Sequence, residues 1–335
     1  MRPSMLAATI KARFENDVKR PLFVEGTPGL GKTQIPKQVA QELGVGFQSI
    51  HVPTLQPEDC GLPMPNADRT QIRFIVPGEK LPFEHCEKWP DRGILEQDEL
   101  AQADNSLQKI MANLIQEREL HGYKLKPGWM IVATGNRTKD RAGANRILSH
   151  LSNRLTRMTL EPNLDDWCTW ALNNGVRVEV IQFLRFRPGL LSAFDPQEDI
   201  SPTPRAWAEG VSPALGVVPP DAEFETFKGD VGEGAAGEFL AFLDIYRKLP
   251  DPDVVLMNPD THPVPTDPAT LYALRGALAH RASDVNADRI VTFAKRLPGE
   301  FAVLMIRDAV QKSMKFAQTK AFIEWASKDG AQLLT

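Results

Sequence analysis

The feature that most constrains this 335-residue chain is a glycine-rich octapeptide at residues 26–33, Gly-Thr-Pro-Gly-Leu-Gly-Lys-Thr. It directly follows the apolar residues 22–24 and directly precedes a segment with a helical pattern. Glycines let a backbone fold closely around a phosphate, and a helix that begins after the loop points its free N–H groups at the anion. The octapeptide therefore predicts a phosphate-binding loop between a strand and a helix.

The residue types in this loop indicate a nucleotide as the ligand. We expect Lys32 to reach the β- and γ-phosphates and the Thr33 hydroxyl to hold Mg²⁺. The sequence thus predicts ATP and Mg²⁺ as cofactors. The residues expected to contact the nucleotide are Gly26, Thr27, Pro28, Gly29, Leu30, Gly31, Lys32 and Thr33.

Composition and charge narrow the class of protein. With 42% hydrophobic and 24% charged residues the chain is ordinary for a globular protein, and its net charge of −4 gives no overall attraction to nucleic acid or anionic lipid. The three cysteines show no metal-ligand pattern, which favours reduced thiols. No apolar run approaches the ~20 residues that span a bilayer, so we expect a cytoplasmic protein with no membrane partner.

The pattern of apolar residues divides the chain near residue 163. From about residue 20 to 160 the chain alternates short apolar runs with helical patterns, which predicts an α/β domain built on a mostly parallel sheet. Residues 164–335 are expected to be helical, with loops at the proline- and glycine-rich stretches 215–234 and 251–268. The expected strands are 22–25, 47–52, 93–97, 129–134 and 156–160. The expected helices of the second region are 164–174, 177–187, 204–214, 235–248, 269–282, 286–297, 299–314 and 317–328.

Nucleotide hydrolysis needs carboxylates beside the phosphates, and an acidic pair follows a predicted strand. We expect Asp98 to bind the metal and order its water shell, and Glu99 to polarise the attacking water. The preceding Glu96 and Gln97 are more polar than a buried central strand should be, so either the strand is short or these side chains have partners. Asn136 follows the next strand, where its amide could hydrogen-bond a water or the γ-phosphate.

The order of these segments resembles that of AAA+ ATPases of the MoxR-like group. The resemblance covers most of residues 20–210 and adds to the phosphate loop (Walker A) residues 94–99 (Walker B), 133–137 (sensor 1), 151–155 and 201–207. It implies a P-loop NTPase core with a parallel sheet, followed by an all-helical lid and a helical C-terminal extension. The domains would be 1–163 and 164–335.

Further residue roles come from the resemblance alone. It implies that Arg154 is an arginine finger that reaches the nucleotide of a neighbouring subunit, and that Arg205 is the sensor 2 residue of the lid. Ordinary salt bridges are the alternative for both residues. The arginines that compete with Arg154 for the finger role are Arg137, Arg141, Arg146 and Arg157.

The resemblance also implies two insertions that touch substrates in relatives. The first, near residues 54–84, is expected to contain a β-hairpin, and the second is a hairpin at residues 119–126. Solvent-exposed loops without a ligand are the alternative for both.

Together the motifs predict a Mg²⁺-dependent ATPase that forms a homo-oligomeric ring, expected to be hexameric, and remodels or activates a protein partner. The resemblance implies a von Willebrand factor A-type partner as one option. The main alternative is a nucleic-acid motor or loader, which the basic residues between 137 and 157 favour and the acidic balance of the chain opposes. A small-molecule kinase and a nucleotide-binding scaffold without hydrolysis are further alternatives.

Overall fold

The computed structural model describes residues 1–76, 78–137 and 147–330. The chain divides into two compact units. The first contains Met1–Asn163 and Phe194–Glu198, and the second contains Leu164–Ala193 and Asp199–Thr335. The glycine-rich octapeptide and the acidic pair both belong to the first unit.

Helices and strands alternate through the first unit. Its strands are β1 (Leu22–Glu25), β2 (Gly46–His51), β3 (Leu62–Pro65), β4 (Ile72–Ile75), β5 (Arg92–Asp98), β6 (Glu119–Leu120), β7 (Tyr123–Lys124), β8 (Gly128–Gly135) and β9 (Thr156–Thr159). Its helices are α1 (Pro3–Glu15), α2 (Gln34–Leu43), α3 (Pro57–Cys60), α4 (Asn105–Glu117) and α5 (Ser149–Ser152). The five strands predicted for the sheet are all present, and their observed ends agree with the predicted ones to about one residue.

Five of these strands form one parallel sheet in the order β2-β5-β8-β1-β9. Strands that are neighbours in the sheet are distant in the chain, so helical crossovers cover both faces. One face packs on α1 and α2 through an apolar core that includes Val39 and Val132. The other packs on α4 through a second core that includes Met111 and Ile131. The predicted α/β fold with a parallel sheet is confirmed.

Three functional segments meet at one edge of this sheet. Because the strands are parallel, their carboxyl ends all lie at the same edge, where α/β proteins bind ligands. The octapeptide follows β1, the acidic pair lies at the end of β5, and Asn136 follows β8. Since β8 pairs with both β1 and β5, these segments are brought side by side.

Helix α1 is an element that the sequence analysis does not predict. Its buried residues Leu6, Ile10 and Phe14 recur every four positions and join the core on the α2 side of the sheet. Pro3 lies in the first turn, where its missing N–H breaks no helical hydrogen bond. The first residues of the chain therefore complete one face of the α/β unit.

Two short antiparallel hairpins interrupt the alternation, β3–β4 within residues 54–84 and β6–β7 within residues 119–126. They contact each other. The ring of His121 stacks on that of Phe74 with centroids 3.9 Å apart, and the Tyr123 hydroxyl donates to the Phe74 carbonyl oxygen at 3.0 Å. The two hairpins are therefore linked by side chains as well as by the core beneath them.

The second unit is helical over the residues described up to 330. Its α-helices are α6 (Leu164–Asn173), α7 (Val178–Phe186), α8 (Ser212–Ala214), α9 (Glu223–Val231), α10 (Glu233–Arg247), α11 (Pro252–Met257), α12 (Pro268–His280), α13 (Ala287–Ala294), α14 (Gly299–Lys312) and α15 (Lys320–Trp325). Two segments, Ala206–Val211 and Ala326–Gly330, are π-helical. Across the described part of the chain, no helix has both the length and the apolar character needed to cross a membrane.

Two stretches predicted to be loops contain helices, so those predictions are wrong in part. Helix α9 lies within residues 215–234, and α11 lies within residues 251–268. Pro252 occupies the first turn of α11, and Asp251 caps that helix by accepting a hydrogen bond from a backbone N–H of the turn. Proline in these stretches marks the start of a helix, where it is tolerated, rather than a loop.

Candidate functional site

The octapeptide forms a loop between β1 and α2. Gly29 and Gly31 have φ angles of 74° and 82°, a region that residues with a Cβ rarely adopt. A Cβ at Gly26 would lie 2.9 Å from the carbonyl oxygen of Leu160. The loop leads into the N-terminus of α2, where the first N–H groups of a helix have no partner within it. This geometry suits an anion held by backbone N–H groups.

The Lys32 side chain lies across this loop and is buried. Its ammonium group donates to the carbonyl oxygens of Gly26 and Thr27 at 3.1 and 2.9 Å, and to the amide oxygen of Asn136 at 2.9 Å. Lys32 and Asn136 are 104 positions apart in the chain. The sheet therefore brings the loop lysine and the residue after β8 into one site.

Asp98, the last residue of β5, faces the start of α2. Its Oδ1 atom accepts hydrogen bonds from the hydroxyls of Thr33 at 3.0 Å and Thr134 at 2.6 Å. The Thr134 oxygen in turn accepts a hydrogen bond from the backbone N–H of Glu99 at 3.2 Å. Thr134, on the neighbouring strand β8, therefore holds both members of the acidic pair.

Glu99 has a φ angle of 56°, which is uncommon for a residue other than glycine and occurs often at functional sites. Its carboxylate lies 3.6 Å from Nε2 of His51, and Nδ1 of the same ring lies 3.6 Å from the carboxylate of Asp98. The side chain of Glu99 is 38% exposed. His51, at the end of β2, therefore bridges the two acidic residues, and Glu99 remains open to solvent.

Strand β5 buries two polar side chains just before the acidic pair. Glu96 and Gln97 are fully buried, and their side-chain oxygen and nitrogen atoms have no hydrogen-bond partner among the described residues. Burial, reinforced by the charge of Asp98, raises the pKa of Glu96 to about 8. The nearby hydroxyls of Ser49 and Thr33 lower this pKa, but by less than burial and Asp98 raise it. Of the two alternatives drawn from the sequence, the short strand is wrong, because β5 runs over seven residues.

The oxygen atoms at the start of α2 are of the kind that Mg²⁺ prefers. Thr33 Oγ1 and Asp98 Oδ1 are hard oxygen donors 3.0 Å apart, and Mg²⁺ usually takes one or two protein oxygens together with phosphate and water. Within the described ranges, no group of three or more His, Cys, Asp or Glu residues could hold a metal ion. The residues therefore fit Mg²⁺ bound jointly with a phosphate ligand.

The arginines that follow α5 differ in what they contact. Arg157 pairs with Glu25 of its own chain at 2.6 Å and donates to the Ser152 hydroxyl at 3.3 Å. Arg154 is exposed, and its guanidinium forms no hydrogen bond or ion pair with any described residue. Of these two, only Arg154 has a surface guanidinium with no partner among the described residues.

The other arginines named from the sequence are placed elsewhere or not described. Arg137 follows β8 and is half-buried. Arg141 and Arg146 lie outside the described residues. Arg205 belongs to the second unit, where its side chain is 60% exposed and lies 4.0 Å from the carboxylate of Glu209.

Arg205 directly precedes the π-helical segment Ala206–Val211, although the sequence predicts an ordinary helix over residues 204–214. Pro213 explains the difference, because it has no N–H to donate to the carbonyl four residues earlier and its ring crowds that group. Trp207 is fully buried within the segment and donates to the carbonyl oxygen of Leu190 at 2.7 Å. π-helical turns occur often at functional positions.

Two residues at the site are missed by the sequence analysis. His51 ends a strand that pairs with β5, so its side chain emerges beside the acidic pair. Thr134 is the next-to-last residue of β8 and looks like an ordinary strand residue in the sequence. The order of the strands in the sheet would have been needed to select either one.

Comparison with known proteins gives only distant similarity. No protein-family model matches the chain, and no curated protein matches its sequence. NtrX from Brucella abortus in complex with ADP is 13% identical over 99% of this chain and 68% of that chain, with a TM-score of 0.40. A RuvB mutant from Thermotoga maritima is 15% identical over 82% of this chain and 79% of that chain, with a TM-score of 0.37. Similarity this distant assigns no family.

Proposed function

We propose that this protein is a Mg²⁺-dependent ATPase of the AAA+ class. The observation that supports this best is the set of contacts around the start of α2. Lys32 bonds to Asn136 at 2.9 Å while the adjacent Thr33 bonds to Asp98 at 3.0 Å. A glycine-rich turn with a purely structural role would not require a lysine, an amide and a carboxylate from three strand ends to converge on it.

The loop residues bind the triphosphate in this proposal. The N–H groups at the start of α2 take the phosphate oxygens, and Lys32 exchanges its bonds to Gly26 and Thr27 for bonds to the β- and γ-phosphates. Thr33 and Asp98 hold Mg²⁺, which neutralises charge on the phosphates when it is bound. Thr134 keeps Asp98 in place through its hydroxyl.

Asp98 and Glu99 have different roles in this proposal because their carboxylates lie in different surroundings. Asp98 is committed to hydroxyl groups at the start of α2, whereas the Glu99 carboxylate is partly exposed and free to polarise a water that attacks the γ-phosphate. Asn136 orients that water or the phosphate through its amide. The contact with His51 restricts the positions open to the Glu99 side chain.

The proposed active form is a homo-oligomeric ring of the MoxR-like type, with six subunits. Its basis is the exposed guanidinium of Arg154, which has no partner among the described residues and suits a finger placed on the nucleotide of the next subunit. A guanidinium on the γ-phosphate offsets charge that develops in the transition state and is worth roughly 10³–10⁵ in rate. In the same proposal, Arg205 has the sensor 2 role that the resemblance implies.

A protein partner is proposed as the target of the ATPase. The β3–β4 hairpin supports this, because it leaves large apolar side chains in solvent. Their exposed fractions are 47% for Leu62, 39% for Met64, 69% for Ile72 and 48% for Ile75. A von Willebrand factor A-type protein is one partner of this kind. Stimulation of ATP hydrolysis by added DNA would instead support a nucleic-acid motor.

Two substitutions separate nucleotide binding from hydrolysis. Lys32→Ala should abolish ATP binding, and Glu99→Gln should retain ATP binding and stop phosphate release. Glu84→Gln is the matched control, since Glu84 is an exposed glutamate outside the strands and the glycine-rich octapeptide, and the activity of this variant should equal that of the wild type. Normal turnover in Glu99→Gln would remove the proposed general base. Phosphate release without any added acceptor would distinguish the ATPase from a small-molecule kinase.

The ring is tested by particle size. Light scattering with and without ATP and Mg²⁺ should give an oligomer for the wild type, and Arg154→Ala should assemble but hydrolyse ATP at least a thousandfold more slowly, about the lower end of the range for such fingers. A monomer under every condition would leave Arg154 without a neighbouring nucleotide to act on.

A further inference from the structure

The loop between α1 and β1 reaches the turn that carries Arg154. Nη2 of Arg20 donates to the carbonyl oxygen of Asn153 at 2.8 Å and to that of Leu155 at 3.3 Å. These two carbonyl groups flank Arg154 on both sides. One side chain from more than 130 positions earlier in the chain therefore holds the backbone on either side of Arg154.

We propose that Arg20 is a positioning residue for Arg154, and that it sets the direction in which the Arg154 side chain leaves the surface. This inference rests on the proposed function, in which Arg154 acts on the nucleotide of a neighbouring subunit. A displacement of about 1 Å at a catalytic group can cost roughly a hundredfold in rate, so the backbone of a finger residue has to be fixed.

Core packing and backbone hydrogen bonds also fix the rest of the turn. Leu151 and Leu155 are buried in the core, and the N–H of Arg154 donates to the carbonyl oxygen of Leu151 at 3.0 Å. The N–H of Thr156, the first residue of β9, donates to the carbonyl oxygen of Pro21 at 2.9 Å, so the end of the turn is tied to the same loop as Arg20. Arg20 adds a side-chain restraint on both sides of Arg154, because its Nη2 atom donates to the carbonyl groups of Asn153 and Leu155.

The charges around this turn favour an anion from another molecule. Neither Arg20 nor Arg154 forms an ion pair with a described residue, whereas Arg157 is neutralised by Glu25. The partners of Arg20 are neutral carbonyl groups, so its full positive charge remains beside Arg154. Arg20 and Arg154, both exposed and without a counter-ion among the described residues, raise the local positive potential toward a phosphate.

Helix α1 is linked to the turn of Arg154 through Arg20. Arg13, in its last turn, donates to the carbonyl oxygen of Arg20. The helix is anchored by Leu6, Ile10 and Phe14 in the core. A chain of contacts therefore runs from the packed helix through Arg13 and Arg20 to the turn of Arg154.

The first test measures ATPase kinetics of Arg20→Ala and Arg20→Lys in the full chain. Arg20→Ala should lower kcat about ten- to a hundredfold with KM for ATP unchanged, since the nucleotide loop is not altered. Arg20→Lys retains the charge, but its ammonium nitrogen ends one bond short of the Nη2 position, so its kcat should fall between those of Arg20→Ala and the wild type. A KM increase in Arg20→Ala with kcat unchanged would overturn the inference.

Lys19→Ala is the matched control. Lys19 lies in the same loop and also bonds a distant carbonyl, that of Pro127 at 2.6 Å, but this carbonyl precedes β8 and not the Arg154 turn. Its kcat should stay within twofold of the wild type. An equal loss of kcat in Lys19→Ala and Arg20→Ala would show that the loop supports the fold in general, and would overturn the inference.

The second test mixes subunits and detects action on a neighbour. Subunits with Arg20→Ala keep an intact nucleotide site, and Lys32→Ala subunits keep an intact Arg154, so the mixture should exceed the summed activity of the two parents several-fold. Replacing the second component by Lys32→Ala/Arg154→Ala should abolish this gain. Absence of any gain with the first mixture would mean that Arg20 acts on its own site.

The outcomes separate this inference from the function on which it rests. Full activity in Arg154→Ala would overturn the finger assignment, and the role of Arg20 with it. An inactive Arg154→Ala together with a fully active Arg20→Ala would overturn the role of Arg20 alone. Equal unfolding midpoints for Arg20→Ala and the wild type would exclude misfolding as the cause of lost activity.

Discussion

Glu96 in the first unit and Asp308 in the second are both carboxylic acids removed from water, with 0% and 3% exposure. Glu96 lies on a central strand, and neither of its oxygens has a hydrogen-bond partner among the described residues. Asp308, on α14, accepts hydrogen bonds from Arg185 on α7 and from Arg275 on α12, the latter at 3.1 Å. The same chemical group is buried alone in one unit and paired in the other.

The pKa values of the two groups shift in opposite directions. Burial, with help from Asp98, raises the pKa of Glu96 to about 8. Burial would also raise the pKa of Asp308, but the charges and hydrogen bonds of Arg185 and then Arg275 outweigh it and lower that pKa. At neutral pH Glu96 is therefore a neutral acid and Asp308 an anion that joins three helices. The partners of a buried carboxyl group, and not its burial alone, decide its charge.

Removal of the paired carboxylate should have the largest effect. Asp308→Ala leaves two guanidinium groups buried without a counter-ion, and we expect the free energy of unfolding to fall by about 3–5 kcal/mol. Chemical denaturation of the full chain measures this loss. The matched control is Asp165→Ala, because Asp165 pairs with Arg307 at 3.0 Å while its side chain is 67% exposed. That substitution should cost less than about 1 kcal/mol.

A triple substitution tests whether the stability lost in Asp308→Ala comes from buried charges left without a counter-ion. Arg185→Met/Arg275→Met/Asp308→Leu removes all three charges together and leaves none uncompensated. It should therefore destabilise the protein less than Asp308→Ala alone. A triple variant at least as unstable as the single one would show that packing around these residues, rather than electrostatics, accounts for the effect.

Replacing Glu96, the unpaired carboxyl group, should stabilise the protein, in contrast to Asp308→Ala, and the size of this effect should depend on pH. The pKa of Glu96 is about 8 in the folded protein and 4.5 without the fold, so the folded state binds the proton more tightly. Its contribution to stability is full below about pH 4.5 and falls as pH rises to about 8. Glu96→Gln removes this dependence. Relative to the wild type, the variant should gain up to about 4 kcal/mol between those pH values.

Denaturation curves of the protein without Mg²⁺ or nucleotide, taken across this pH range, measure the effect of Glu96→Gln. Glu15→Gln serves as the control, because Glu15 is an exposed glutamate at the end of α1 and should leave the pH profile unchanged. A constant stability difference between Glu96→Gln and the wild type at all pH values would mean that Glu96 is ionised throughout.

Much of the candidate site can be predicted from the sequence, because its residues lie in local motifs. The octapeptide requires glycine at fixed positions, and the acidic pair and Asn136 directly follow apolar runs. Local patterns of this kind also predict the five sheet strands. His51 and Thr134 could not be selected in the same way, since their proximity to the acidic pair depends on the pairing of β2, β5 and β8.

The contacts within the second unit are much less evident in the sequence. Arg185, Arg275 and Asp308 are scattered over 124 positions, and each looks like an ordinary charged residue on a helix. Only helix packing brings them together. The helices within the predicted loops were missed for a different reason, since Pro252 marks a helix start as readily as a loop. Glu96 did stand out in the sequence, because a charge on a central strand breaks an otherwise apolar pattern.

The smallest expected effect concerns the packing around the paired charges. Gln182 accepts a hydrogen bond from Arg275 at 2.7 Å, and a Cβ at Gly276 would lie 2.2 Å from the Cγ atom of Gln182. Alanine usually stabilises a helix over glycine by about 1 kcal/mol, but here Gln182 would have to move. We therefore expect Gly276→Ala to destabilise the protein by about 1–3 kcal/mol, as measured by chemical denaturation.

Gly237→Ala on α10 is the control for this last substitution, because nothing lies within 4 Å of a Cβ at that position. It should stabilise the protein by about 0.5–1 kcal/mol, the ordinary gain for alanine in an exposed helix. Opposite signs for the two variants would indicate that Gly276 is needed for the approach of Gln182 to the Arg275 cluster. Stabilisation by both would mean that the cluster tolerates displacement of Gln182, and that Asp308 alone is sufficient to hold Arg275.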